Sequence, residues 1–97
     1  MPDNEAQAEG PMATRMRAKL TEALSPEDLR IRDDSESHRG HGGYREGGET
    51  HFAVHVRSAA FDGKGRVERQ RMVMRLLKAE LEERVHALSL DLKGSAE

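Results

Sequence analysis

Apolar residues recur at helical spacing in two parts of the chain. After Pro11, which suits the first position of a helix, one apolar stripe predicts a helix that ends at Ser25-Pro26. A second stripe predicts a longer helix from about Val67 to Arg84. The first stripe consists of Met12, Met16, Leu20 and Leu24 with Ala23 beside it, and the second of Val73, Leu76, Leu77 and Leu81.

Three shorter segments alternate apolar and polar residues, which is typical of strands with one buried face. They are residues 29–33, 51–57 and 86–92. The first two are joined directly and should pair antiparallel, whereas a helical crossover joins the last two and favours a parallel, right-handed connection. The sequence therefore predicts an α+β fold, with a three-stranded mixed sheet covered on one face by the two helices.

The segment between the first two strands, residues 34–49, has no core pattern. It is rich in glycine and also carries His38, His41 and Tyr44. A loop of this length in a small domain is more often functional than not. We expect residues 1–10 to form a disordered acidic tail, residues 11–93 to form one domain, and residues 94–97 to form a C-terminal tail.

Composition excludes several kinds of site. None of the 97 residues is cysteine, so disulfides, a thiol nucleophile and a metal site built from the chain's own thiolates are excluded. The net charge of −2 argues against nucleic-acid binding driven by global charge. No apolar run approaches the roughly 20 residues of a membrane span, and the N-terminus lacks signal-peptide features. We expect a cytoplasmic protein that is not an enzyme, because no catalytic constellation is recognisable.

The predicted topology brings histidines together. If the last two strands are parallel neighbours, His51 and His86 open them at the same end of the sheet, where the loop delivers His38 and His41. Neutral imidazole is a good ligand for iron, zinc or copper, but so few ligands would leave an open site that is completed from outside. The alternative is that His51 and His86 are hydrogen-bonded structural residues and that the loop histidines are solvated. His55 is expected to be exposed on the opposite face.

A basic cluster surrounds the long predicted helix, and it has two interpretations. It is either a surface for phosphate backbones or a solvated face balanced by nearby glutamates. The adjoining Gly63-Lys64-Gly65-Arg66 is similar to the GXXG loop of KH domains, although its glycines are two residues apart instead of three. The cluster consists of Lys64, Arg66, Arg69, Arg71, Arg75 and Lys78.

Several short motifs in one order resemble the pattern of the BolA-like family. They are Glu49-Thr50-His51-Phe52, Ser58, Phe61, Gly63, Arg69-Gln70-Arg71 and Val85-His86-Ala87-Leu88. The resemblance covers about Met12 to Leu92. Gln70 stands where the family commonly has histidine.

The resemblance implies an αββααβ fold similar to class II KH domains and a partnership with monothiol glutaredoxins. It implies a 2Fe–2S cluster to which the glutaredoxin cysteine and glutathione supply sulfur. The histidine before Ala-Leu, here His86, would be one ligand, and His41 or His38 would be the second, with His41 preferred. The isolated chain is expected to be a monomer without a cluster. DNA binding in transcription regulation, through the basic cluster, is the alternative that the family also allows.

Overall fold

The fold is described by a computed structural model for residues 9–35 and 48–97. The elements are α1 (Pro11–Leu24), β1 (Asp28–Asp33), β2 (His51–Arg57), a 3-10 turn (Ala59–Phe61), α2 (Arg66–Leu76), α3 (Lys78–Glu83) and β3 (Ala87–Lys93). The α+β prediction is confirmed. None of the helices in these residues is long and apolar enough to cross a membrane.

The three strands form one mixed sheet in the order β1-β2-β3. Strand β1 pairs antiparallel with β2, so that Ile31 lies opposite Val54. Strand β3 pairs parallel with β2, and Val54 lies opposite Leu90. Both predicted pairings are therefore confirmed, and the starts of β2 and β3 lie at the same end of the sheet.

The core lies between one face of the sheet and the helices. The four residues of the predicted α1 stripe are buried. Ala13 is buried beside them, whereas Ala23, which was predicted to be, is exposed. The middle strand presents Phe52, Val54 and Val56 to this core. The helical crossover contributes the buried residues Phe61, Val73, Leu77 and Val85, with Leu76 and Leu81 half-buried against them.

Helix α1 begins with a cap that comes from Glu49, two residues before β2. Its N-cap residue, Gly10, offers no side chain, and the carboxylate of Glu49 accepts hydrogen bonds from the backbone N–H groups of Met12 (3.1 Å) and Ala13 (3.0 Å). A Cβ on Gly10 would clash with the Cδ of Glu49, so a larger residue there would force the capping carboxylate to shift. The negative carboxylate also lies at the positive end of the helix dipole.

The long helix predicted from Val67 to Arg84 is wrong in one respect, because it is two helices. The break lies at Leu77, whose φ of −102° and ψ of 16° leave the helical region. Neither proline nor glycine occurs there, so the sequence carries no stop signal. Leu77 at this break and Glu80 three residues later are both buried.

Glu80 joins α3 to α1 through ion pairs. Its buried carboxylate lies 3.0 Å from Nη2 of Arg15 and 2.8 Å from Nζ of Lys19. Desolvation raises the pKa of Glu80, but the hydrogen bond from Lys19 and the charges of Lys19 and Arg15 lower it more, so the pKa lies below its ordinary value. The charged form of Glu80 therefore stabilises the fold.

The residues predicted to be a C-terminal tail contact the domain. Both the backbone N–H and the hydroxyl of Ser95 donate hydrogen bonds to the carboxylate of Asp62, at 2.7 and 2.6 Å. Gly94 is buried. Residues 94–97 are thus packed against the turn that precedes α2. Residues 1–8 of the predicted N-terminal tail lie outside the described residues.

Candidate metal-ligand site

Two histidines meet at the end of the sheet where β2 and β3 begin. His51 is the first residue of β2 and lies opposite Ala87, the first residue of β3. His86 therefore comes immediately before β3 and not within it. The centroids of the two imidazole rings are 5.2 Å apart, and the ring planes are inclined by 50°. The predicted convergence of His51 and His86 is confirmed.

The two imidazoles differ in exposure. His86 is exposed, while its backbone N–H donates to the carbonyl of Thr50 at 2.7 Å. The N–H of Ala87 donates to the same carbonyl at 3.1 Å, so the backbone that carries His86 is held at two points. His86 therefore presents its ring to solvent from a fixed backbone, which suits a ligand for a group brought by a partner.

His51 is buried beside it. Its Nδ1 lies 2.9 Å from the hydroxyl oxygen of Thr50. This environment agrees with the interpretation of His51 as a hydrogen-bonded structural residue, and it fixes the ring against which His86 lies.

A buried serine, Ser35, fastens the end of β1 to the start of β2. Its Oγ accepts hydrogen bonds from the backbone N–H groups of Thr50 (2.8 Å) and His51 (3.2 Å) and donates to the carboxylate of Asp33. Asp33 also accepts from the N–H of Glu49 at 3.0 Å. Sequence reasoning missed this network, and the Asp-x-Ser run at the strand end signals only the local contact between Ser35 and Asp33.

The network places both ends of the glycine-rich segment beside the histidine pair. Ser35 lies near the start of the segment and Gly48 near its end, and the carbonyl of Gly48 accepts from Nε of Arg84 at 2.8 Å. His38 and His41 themselves lie outside the described residues. An open cavity of about 210 Å³ lies next to the pair, lined by Asp34, His51, Phe52, Ala87, Leu88 and Ser89. Within residues 9–35 and 48–97, no three histidine or acidic side chains are grouped to hold a metal ion.

His55 lies on the face of the sheet opposite the core, as predicted, but it is half-buried instead of exposed. Its two ring nitrogens lie 2.8 Å from a carboxylate oxygen of Asp91 and 3.3 Å from one of Asp28. The flanking strands supply these two carboxylates, and they hold the ring across all three strands. His55 is four residues along β2 from His51, a separation of about 13 Å.

The members of the predicted basic cluster differ in burial and in their contacts. Arg69 is largely buried and bonds to the carbonyls of Lys64 and Leu92 and to the carboxylate of Glu97. Lys78 lies 3.8 Å from Glu82 on the same helix. The remaining arginines, Arg66, Arg71 and Arg75, are exposed on α2.

Comparison with known proteins adds the family. The family model described as "BolA-like protein" matches residues 20–97. "Protein BOLA1, chloroplastic" of Arabidopsis thaliana is 45% identical over 87 residues, which cover 88% of this chain and 54% of that protein. "BolA-like protein 1" of Mus musculus is 42% identical over 90 residues, which cover 93% of this chain and 63% of that protein. The chain thus spans between half and two thirds of the length of these two relatives.

The fold is shared as well as the sequence. The solved structure of the BolA domain of SufE1 from Arabidopsis thaliana superposes with a TM-score of 0.81 at 39% identity, covering 92% of this chain and 98% of that one. The word "chloroplastic" in the name of the Arabidopsis BOLA1 protein describes that relative. The cytoplasmic location of this chain stays a prediction. With the sequence pattern, the topology and these matches in agreement, the chain belongs to the BolA-like family.

Proposed function

We propose that this chain is a non-enzymatic partner of a monothiol glutaredoxin and that it supplies histidine ligands to a 2Fe–2S cluster shared with the glutaredoxin cysteine and glutathione. The observation that carries the proposal is the exposed imidazole of His86, held at a fixed position beside the ring of His51 at the end of the sheet. Such a half-site serves iron–sulfur trafficking or iron and redox regulation.

The donor set fits half of a cluster site. A 2Fe–2S cluster takes four protein or thiol ligands, and sulfur supplies most of them. The chain has no cysteine, and in the described part of it no three candidate ligands are grouped. His86 is available to an incoming group because its ring is exposed, so a partner that brings the sulfur ligands would complete the site.

The second ligand in this proposal comes from the glycine-rich segment. Three peptide units separate His38 from Ser35, which limits their Cα separation to about 11 Å, and six units give His41 about 22 Å. Both Cα separations are measured from Ser35, and the Oγ of Ser35 is 3.2 Å from the backbone nitrogen of His51. His41 is favoured because Gly40, Gly42 and Gly43 flank it and allow backbone angles that other residues avoid.

The experiment is reconstitution. The purified chain is mixed with a monothiol glutaredoxin, glutathione, ferrous iron and sulfide under anaerobic conditions, and the visible absorption and circular dichroism spectra are recorded. We expect a heterocomplex whose spectrum differs from that of the glutaredoxin homodimer, and we expect no cluster on the chain alone. A cluster on the isolated chain, or a spectrum that the chain does not alter, would contradict the proposal.

A second candidate, DNA binding in transcription regulation, rests on one observation. Arg66, Arg71 and Arg75 are exposed on α2, and none has an ion-pair partner among the described residues. Binding through such residues releases counterions and weakens steeply as salt concentration rises. Duplex DNA that binds without this salt dependence, or not at all, would remove this candidate.

A further inference from the structure

A groove between α2 and β3 concentrates positive charge at the end of β3 away from the histidines. It has a volume of about 530 Å³, and Gln70 lies in its wall. Lys93 in this groove is six residue steps beyond Ala87 along β3, which places it about 20 Å from the start of that strand. The charged residues that line it are Lys64, Arg66, Arg69, Lys93, Asp91 and Glu97.

The groove already binds one carboxylate, that of Glu97. Nη1 and Nη2 of Arg69 each lie 2.7 Å from one of its two oxygens, which is the bidentate geometry of a strong arginine–anion pair. The backbone N–H of Gly94 donates to the same carboxylate at 3.0 Å. The hydrogen bonds from Arg69 and Gly94 lower the pKa of Glu97 to about 2, so the bound group is an anion.

Arg69 keeps its position through contacts other than Glu97. Its Nε donates to the carbonyl of Lys64 at 2.8 Å, and its Nη1 donates to that of Leu92 at 3.2 Å. Its side chain is only 12% exposed, and the guanidinium lies 6.0 Å from the centroid of the Phe61 ring. The guanidinium is thus pre-organised for an anion, whereas the side chain of Glu97 is 47% exposed and free to be displaced by a stronger ligand.

We propose that this groove is a phosphate-binding site and that the carboxylate of Glu97 is its internal competitor. Free phosphate carries more charge than a carboxylate, and a phosphodiester, although singly charged, is followed by further phosphates along a nucleic-acid strand; either one accepts the two parallel hydrogen bonds of Arg69. Lys64, Arg66 and Lys93 line the same groove and would neutralise the additional charge. The ligand class is a phosphate group, either free or as an ester in a nucleic-acid backbone.

The test is an NMR titration of the full chain with inorganic phosphate at constant ionic strength, with chloride as the blank. We expect saturable shifts of the amide signals of Lys64, Gly94 and Ser95. Glu97→Gln should tighten the apparent Kd at least threefold because it removes the competitor. Glu22→Gln makes the same change in net charge at an exposed position on α1 and should leave the Kd unchanged.

Two further variants locate the site. Arg69→Gln should abolish the saturable shifts, and the double variant Lys64→Gln/Lys93→Gln should weaken binding severalfold without removing the contacts that Arg69 makes within the fold. A parallel titration with a short oligothymidylate separates the two sources, because tighter binding with the same amide shifts assigns the site to a nucleic-acid backbone. Absence of saturable shifts with both ligands, or equal effects of Glu97→Gln and Glu22→Gln, would overturn the proposal.

Discussion

At the scale of a single residue, Glu49 connects two parts of the chain that are far apart in sequence. Its carboxylate caps α1 through two charge-assisted hydrogen bonds to backbone N–H groups. We expect Glu49→Ala to lower the free energy of unfolding by about 1.5–3 kcal/mol because both bonds are lost. Urea denaturation measures the change, and Glu49→Gln, which keeps one acceptor oxygen, should cost less. Equal stability of the wild type and the alanine variant would show that the cap contributes nothing.

A second prediction at this scale ranks the histidines by how much their substitution changes the spectrum of the cluster. In the reconstituted heterocomplex, His86→Ala should change the visible spectrum most, His41→Ala less, and His38→Ala least. His55→Ala is the matched control, since its ring is held by Asp28 and Asp91 on the open face of the sheet. A larger effect of His38→Ala than of His41→Ala would reverse the assignment of the loop ligand.

The sequence predicts some of these residues and not others for a physical reason. The meeting of His51 and His86 follows from the strand pattern, because parallel neighbouring strands start at the same end of a sheet. Ser35 and Glu49 act on backbone groups 15 and 37 residues away, and no local pattern encodes such contacts. The positions of His38 and His41 relative to this pair depend on a segment without a core pattern, so they stay predictions.

At the scale of elements, Glu80 makes the attachment of α3 to α1 depend on pH. Its pKa is lowered in the folded state, so its stabilisation is complete above the ordinary pKa of 4.5 and is lost as the pH falls through the lower folded value. Glu80→Gln should lower the free energy of unfolding by about 1.5–3 kcal/mol at neutral pH. The difference from the wild type should shrink as the medium is acidified below the ordinary pKa.

The control for this prediction is Glu82→Gln on the same helix. Glu82 is 68% exposed and lies 3.8 Å from Lys78, so its loss should cost less than about 0.5 kcal/mol. Thermal unfolding of both variants over a range of pH decides the matter. If Glu80→Gln had the same pH profile of stability as the wild type, the ion pairs with Arg15 and Lys19 would not stabilise the fold.

The break between α2 and α3 leads to a prediction about the core. Leu77 is fully buried at this break, so Leu77→Ala should lower the free energy of unfolding by about 2–5 kcal/mol. Val67→Ala is the control, because Val67 is 59% exposed and should change stability little. A cost well under about 1 kcal/mol for Leu77→Ala, measured by urea denaturation, would contradict the packing of the crossover described above.

Strands were easier to predict than the helical crossover. Alternation of apolar and polar residues identifies β2 and β3 directly, since every second side chain faces the core. The crossover has continuous helical periodicity through Leu77, and its break is set by packing against α1, with Glu80 turned towards Arg15 and Lys19. Tertiary contacts of this kind override a local pattern that by itself predicts one helix.

At the scale of the whole molecule, the sheet separates the two sites that we propose. One end carries the exposed His86 together with both ends of the glycine-rich segment. The other end carries the positively charged groove that holds Glu97. In our account, a partner that brings sulfur ligands meets the first end, and the rigid sheet keeps His86 in place for it.

The most direct test of the central claim is pulsed electron paramagnetic resonance of the reduced heterocomplex, with ¹⁵N-histidine incorporated only in this chain. If an imidazole of the chain is a cluster ligand, the spectrum should contain a ¹⁵N hyperfine coupling of a directly bound nitrogen. That coupling should be lost or reduced in His86→Ala and unchanged in His55→Ala. A cluster with no ¹⁵N coupling from the labelled chain, or a coupling that survives intact in His86→Ala, would contradict the account.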